Sequence, residues 1–451
     1  MAFPQTLPGR WVRKASVHPR LLYAFRAADL ALTPRTGQAA TFAHALSGTD
    51  VGGSIVGSAG RLRAMVHSQP RFEAADLDGD GVRETLGLLV EQKRRNLLLR
   101  SQELDNAAWT KTRATVSADI AFPTAPDGST TADSLVEDAT AAATHEVDQA
   151  VTVTAGRRIT FSRFLRAGER TKVRLRVLNG ADSFSAAFDL SAGTLLEAVA
   201  AGAGSVIAGN LEPVGDGWYR CWVTGQVNGS STSVTCRTLL LDAAAAESYD
   251  GDGASGIQTW GAQAERRESD ADAYEPSSYI PTTSAVVDRP AETLKHTPAW
   301  QRQDWTIYAR FDAGWLGLTT VPSSQLPTVF QLRDAADNNA FNLFRAAGSA
   351  SLSLAHKGAG GSALVVTAAH PTSPTSLEVA CQMDHANGRV RFDPGTGVLG
   401  AWNTMNNRWV TNPEELWVGS GSGNDGFLRG RMFDLKVAAG LYTTPQMREM
   451  L

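Results

Sequence analysis

The sequence predicts an all-β protein, with two jelly-roll or β-sandwich domains in tandem behind an N-terminal attachment arm. Three observations lead there. Helical periodicity is nearly absent. Short runs of alternating apolar and polar residues recur about every ten residues. Turn-forming pairs and triplets fall between them: Asn179-Gly180, Ser191-Ala-Gly193, Asp216-Gly217 and Asn228-Gly229. Alternation with period two places one apolar face on each strand, and two such faces close on each other as a sandwich.

The elements follow in order. Arg10 to Leu32 is basic and aromatic without a clean period, so residues 1–35 read as an arm. Residues 33–75 hold short strand candidates, and Glu84–Glu91 is another. Arg158–Arg166, Thr171–Leu178, Ser183–Leu190, Gly217–Thr224 and Ser233–Leu241 alternate, which marks 36–290 as the first sandwich, with its core at 96–270. Tyr274–Ser284 is rich in Pro, Ser and Thr and has no period, so 271–295 reads as an extended strap and linker. A second β series spans 296–451, through Asp304–Phe311, Thr328–Leu332, Ala340–Phe344, Ser351–Ala355, Ser376–Cys381, Leu416–Gly419 and Gly430–Ala438. Thr444 as N-cap and Pro445 at the first helical position predict a closing helix of one or two turns.

Composition bounds the function. The chain has 451 residues, 43% hydrophobic and 20% charged, enough for two or three real cores. Net charge is −4, too balanced for a dedicated nucleic-acid binder, but it divides into +6 over residues 1–100 and −10 over the rest. A basic head on an acidic body suggests that the two parts face different partners. Three cysteines are too few for a disulfide scaffold. No run approaches the roughly 20 apolar residues of a membrane span. The N-terminus lacks a signal-peptide core, so no membrane insertion is expected and synthesis is expected in the cytoplasm.

Particular residues carry a family resemblance. Pro70–Glu73, Leu86–Glu91, Arg95–Trp109, Ala125–Gly128 with Thr131–Asp133, Gly215–Cys221, Gly253–Glu265 and Ser278–Thr283 resemble a block found in bacteriophage tail-fibre and head-fibre structural proteins. Residues 300–451, with Phe427–Lys436 as closing strand, resemble the laminin-G/concanavalin-like sandwich. The resemblance implies a carbohydrate-binding-module-like jelly roll in a virion protein. It also implies other virion proteins and host-surface glycans as partners, and homo-oligomers, commonly trimers. The expected role is structural display and adhesion. A purely architectural decoration protein and a glycan-degrading enzyme stay open as alternatives. The expectation is no enzyme: no nucleophile elbow, His-Glu-x-x-His or Cys-His pairing is present, and the repeat of a β-helical tailspike is missing.

Sugar faces stack on exposed aromatic rings, so the candidate glycan-binding residues are Trp109, Trp218, Tyr219, Trp315, Trp402 and Trp409. Trp109, Trp315, Trp402 and Trp409 have polar or turn-forming neighbours. Trp218 and Trp222 share one strand face, with Tyr219 on the other. Asp76, Asp78, Asp80 and Glu84 alternate around glycines, as the ligands of a Ca²⁺ loop do; the competing reading is a hairpin turn, because an EF-hand needs Glu where Gly87 stands. Ca²⁺ is the one cofactor weighed. Asp334–Asn339 is a second, weaker Ca²⁺ candidate, read in preference as an Asx-rich turn. Arg10, Trp11, Arg13, Lys14, Arg20 and Arg26 are expected to dock on an acidic face of a partner virion protein, in preference to nucleic-acid phosphates. Gly251–Gly256 matches a dinucleotide fingerprint in letters, but a strand follows instead of a helix, so it is a loop. A two-residue turn at Asn228-Gly229 would set Cys221 opposite Cys236. A disulfide is then geometrically open, and a chain without a signal peptide is expected to keep both as thiols.

Overall fold

The computed structural model describes residues 85–266, 275–297, 301–313, 316, 327–336, 339–346, 350–371, 376–420, 428 and 430–450, together with five short strands ahead of residue 85. The all-β expectation holds: among the described residues the paired strands are antiparallel, joined by turns and loops, and the α-helix is the six-residue Thr444–Glu449.

The first sandwich packs two six-stranded sheets. One runs Ser205–Pro213, Trp218–Gln226, Ile159–Ala167, Gly256–Arg266, Asp133–Glu137, Ala114–Ser117 in spatial order. The other runs Thr194–Ala201, Asp182–Asp189, Lys172–Asn179, Ser233–Leu241, Glu146–Thr152, Thr110–Thr112. Alternation decides what enters the core. Val173, Leu175 and Val177 point in, while Arg174 and Arg176 point out and pair with Glu197 and Glu247. A bulge opposite Arg163 shifts the register of Gly256–Arg266. Gly261 takes a left-handed φ of +56° there, and a Cβ would stand 2.8 Å from the Phe164 ring. The extra residue lets Trp260 face outward onto Phe164 and Tyr279 while Ala262 and Ala264 face the core.

The second sandwich also joins two sheets around one core. One contains Asn403–Thr404, Arg389–Asp393, Leu377–Asp384, Trp305–Ala313, Gly430–Ala439, Thr85–Val90 and Phe72–Ala75 in order, with Leu21–Arg26 also paired to Gly430–Ala439. The other runs Thr41–His44, Glu292–His296, Glu415–Val418, Thr328–Arg333, Ala340–Arg345, Ser351–Lys357, Leu364–Ala369. The closing helix starts one residue earlier than the sequence predicts. Thr443 is its N-cap, in a capping box with Gln446. The Lys436 ammonium donates to the carbonyls of Met447 and Arg448 at its other end.

The sequence reading places residues ahead of 91 before or within the first sandwich. Four of their six strands belong instead to the second: Leu21–Arg26, Phe72–Ala75 and Thr85–Val90 in one of its sheets, Thr41–His44 in the other, while Ser54–Val56 and Leu62–Ala64 pair with each other. The first sandwich is thus enclosed by the second in the chain. Its two ends meet where Arg94–Asn96 pairs with Val287–Arg289. At this junction the buried Arg289 guanidinium donates to the Glu91 carboxylate, the Ser278 hydroxyl and, at 2.7 Å, the Gln92 carbonyl.

Candidate functional site

The structure separates the predicted aromatic residues by burial. Trp109, Trp218 and Trp409 are 2%, 1% and 1% exposed, so none offers a ring face to a sugar. These three assignments are corrected. Trp109 sits in the first core with its Nε1 donating to the Arg100 carbonyl, and Trp218 lies in the smaller cluster of Phe164, Trp260 and Tyr279 with its Nε1 donating to the Thr124 carbonyl. Trp409 is wedged in the second core against Trp305 and His356. Tyr219 is half-buried, packed on the first core, with its hydroxyl over Gly193. Trp315, Asp76, Asp78, Asp80, Glu84, Arg10, Trp11, Arg13, Lys14 and Arg20 lie outside the described residues, as does the side chain of Arg26.

Other sequence expectations meet definite geometry. Asp334 is buried rather than solvated, and its carboxylate accepts from the Asn339 amide (2.6 Å) and the Thr411 hydroxyl (2.7 Å), while Asp337 and Asn338 lie outside the described residues. Among the described residues no group of three or more His, Cys, Asp or Glu is placed to hold a metal ion. Gly251–Ser255 is a loop, with Asp252 accepting from the backbone of Ala254 and Ser255. The hairpin predicted at Asn228-Gly229 is corrected. Trp218–Gln226 and Ser233–Leu241 belong to opposite sheets, so this turn carries the chain across the sandwich. Asn228 organises it by accepting from the backbone of Ser230 and Ser231. Cys221 and Cys236 are free, buried thiols, and burial pushes Cys236 up to about 12.

Trp402 is the predicted ring that stays partly open to solvent within a set of polar groups. It is built from the turn that follows Arg389–Asp393. Asp393 is buried and accepts the N–H groups of Gly395, Thr396 and Gly397 at 2.8–3.1 Å, which folds the chain back on itself. Asn403–Thr404 then pairs with Arg389–Val390, and continuing that register sets Trp402 beside Arg391. The guanidinium carbons of Arg389 and Arg391 lie 4.4 and 4.1 Å from the centre of the indole. Each is held from below through Nε: Arg389 by Asp384 (2.7 Å) and Arg391 by Gln382 (2.8 Å). Asp384 and Gln382 are themselves buried. Burial works to raise Asp384, but its bonds from Asn387 and Arg389 outweigh that and leave it below the ordinary carboxylate range. Asp384 is therefore an ionised anchor and no proton donor. Burial and the neighbouring Arg389 hold Arg391 below its ordinary value.

The terminal nitrogens of both forks have no protein acceptor among the described residues, so the site is a half-open ring with N–H donors on a fixed frame. Trp402 was legible from its Asn-rich surroundings. The two arginines were missed, although their i, i+2 spacing on a predicted strand would have put them on one face.

Fold and site together define an all-β protein of sandwich class with a surface aromatic-guanidinium platform. No protein-family model matches the chain, and no curated protein does. Solved structures overlap it weakly. Mouse laminin alpha1 domains LG4-5 share 11% identity over 68% of this chain and 89% of theirs, with a TM-score of 0.23. The LG1-3 region of the laminin alpha2 chain shares 8% over 68% and 67%, at 0.25. The extracellular region of zebrafish Gpr126/Adgrg6 shares 12% over 75% of this chain and 37% of its own, at 0.21. Overlaps this slight decide neither fold nor function, and the fold rests on the strand pairing itself.

Proposed function

We propose that this chain is an adhesion-type display protein of a bacteriophage or phage-like particle, which binds glycans on the bacterial surface through the Trp402 platform. The observation that carries the reading is the partly open indole with two guanidinium forks anchored over it. A sugar ring stacks on an indole, and fixed N–H donors bond its oxygens. A shallow site of this kind binds weakly alone, and several copies on one particle multiply its avidity. A homotrimer attached through the basic N-terminal residues is the arrangement we propose.

The test is a glycan array and a whole-cell binding assay on the full chain, with and without Ca²⁺. Binding that is lost in Trp402→Ala and in Arg391→Ala, while both variants still unfold cooperatively within about 4 °C of wild type, supports the reading. Absence of binding to every host surface, in a chain that still assembles on particles, overturns it and makes the protein architectural.

A further inference from the structure

One side of the first sandwich is closed by two edge strands, Thr194–Ala201 in one sheet and Ser205–Pro213 in the other. The stretch from residue 190 to 211 holds a single charged side chain, Glu197. Its carboxylate is taken by the Arg174 guanidinium on the outer sheet face. Thr194–Ala201 pairs with Asp182–Asp189, and among the described residues no strand pairs with its other side. Every residue of this strand except Ala198 is exposed, including Leu195 (37%), Leu196 (42%) and Val199 (40%). Edge strands are ordinarily guarded against association by Lys, Pro, an inward charge or a bulge. This one has no Lys or Pro, and its bulge, opposite Ala187 and Phe188, lies near its start and leaves Glu197–Ala201 regular.

The wall is held rigidly at both ends. Asp182 accepts the Ala203 N–H and the Asn228 side-chain amide, each at 2.7 Å, which fixes the turn between the two strands. Asp189 accepts the N–H groups of Ser191 and Ala192, each at 3.0 Å, which fixes the turn ahead of them. An apolar surface fixed in this way loses little freedom on binding.

We propose that this wall binds the same wall of a second copy of the chain, with the two Thr194–Ala201 strands antiparallel about a two-fold axis. An isologous contact uses one patch on both copies, and antiparallel edges satisfy each other's N–H and C=O groups. A neutral apolar wall is complemented by its like, and it carries no free charge to select a foreign partner. The strand is eight residues long. Such a wall runs about 27 Å, is about 15–20 Å across, and offers roughly 500 Å². A pair then buries about 1,000 Å², the lower limit for a specific interface, which sets the expected dissociation constant at about 1 µM. The contact lies apart from the N-terminal attachment and the Trp402 platform, so it stands or fails independently of the adhesive role.

The experiment is analytical ultracentrifugation of the full chain, wild type against the Leu196→Lys/Val199→Lys double variant, over about 0.1–50 µM to bracket that constant. At the highest concentration the wild type should have at least twice the mass of the variant, whether the variant is a single chain or a trimer. Dilution should bring the wild type down to the variant's mass. The difference should persist in about 1 M NaCl, where charges are screened beyond about 3 Å. Hydrogen exchange reads the same contact without a substitution: wild-type amides in 194–201 should exchange about fivefold or more slowly at the highest concentration than at the lowest. Equal masses at every concentration, a difference lost in salt, or exchange over 194–201 that ignores concentration would overturn the proposal. The exchange measurement decides the matter even where the double variant fails to fold.

Discussion

His356 makes the second sandwich acid-labile by an amount that can be worked out. It lies on Ser351–Lys357 facing inward, 1% exposed, with its ring 6.4 Å from Trp409, and neither ring nitrogen has a hydrogen-bond partner. Burial, reinforced by His385, lowers its pKa to about 4. The folded value is below that of a free histidine, about 6.5, so the unfolded chain takes up the proton first. Stability is therefore full above pH 6.5 and is lost as pH falls from there toward 4. Linkage between those two values gives a loss of about 2.5 kcal/mol by pH 4.5. For a domain of this size that is about 5–10 °C in Tm. The perturbation is His356→Phe, which keeps a ring in the site and removes the titration. Calorimetry of the full chain at pH 7.5 and 4.5 should show one transition whose fall with pH shrinks by that amount in the variant. An unchanged fall in the variant would refute the burial argument, whatever its absolute Tm.

Three further outcomes are expected. Trp409→Ala should cost about 3–5 kcal/mol, whereas Trp402→Ala, losing a half-buried ring and its guanidinium contacts, should cost about 1 kcal/mol or less; urea unfolding of both distinguishes a core tryptophan from a surface one. Arg289→Ala leaves Glu91 without the guanidinium that holds it at the junction, and should cost about 3–5 kcal/mol in the same assay. Cys221, Cys236 and Cys381 are buried, with burial raising all three thiols, so none should react with a thiol reagent at pH 8 until the chain is unfolded.

Local rules carried most of what could be read from sequence. Lys172–Asn179 and Asp182–Asp189 are a hairpin as the turn signal suggests, with Gly180 and Ala181 as its two turn residues, one position later than the Asn179-Gly180 pair, and Gly180 at φ +60°. The same dipeptide at Asn228-Gly229 misled, since a turn signal states that the chain bends and says nothing about which sheet the next strand joins. Trp409 misled for a related reason. Its neighbours Asn406, Asn407 and Arg408 are exposed, but its ring is claimed by Trp305 and His356 from distant strands. Trp402, five residues after Gly397 ends the turn closed by Asp393, was legible because its surroundings are local. The pairing of Leu21–Arg26, Thr41–His44 and Thr85–Val90 with strands of the second sandwich was not legible, because no local pattern encodes it.

That pairing has a consequence for synthesis. Thr85–Val90 finds its partner at Gly430–Met432, about 340 residues downstream. At about 5–20 residues per second, a ribosome needs roughly 20–70 s to deliver it. The first sandwich is complete in the meantime and is free to fold, while the strands ahead of it wait with bare edges for the last part of the chain to emerge. A chain stopped just short of Gly430 would carry a finished first sandwich and, on either side of it, the unassembled halves of a second.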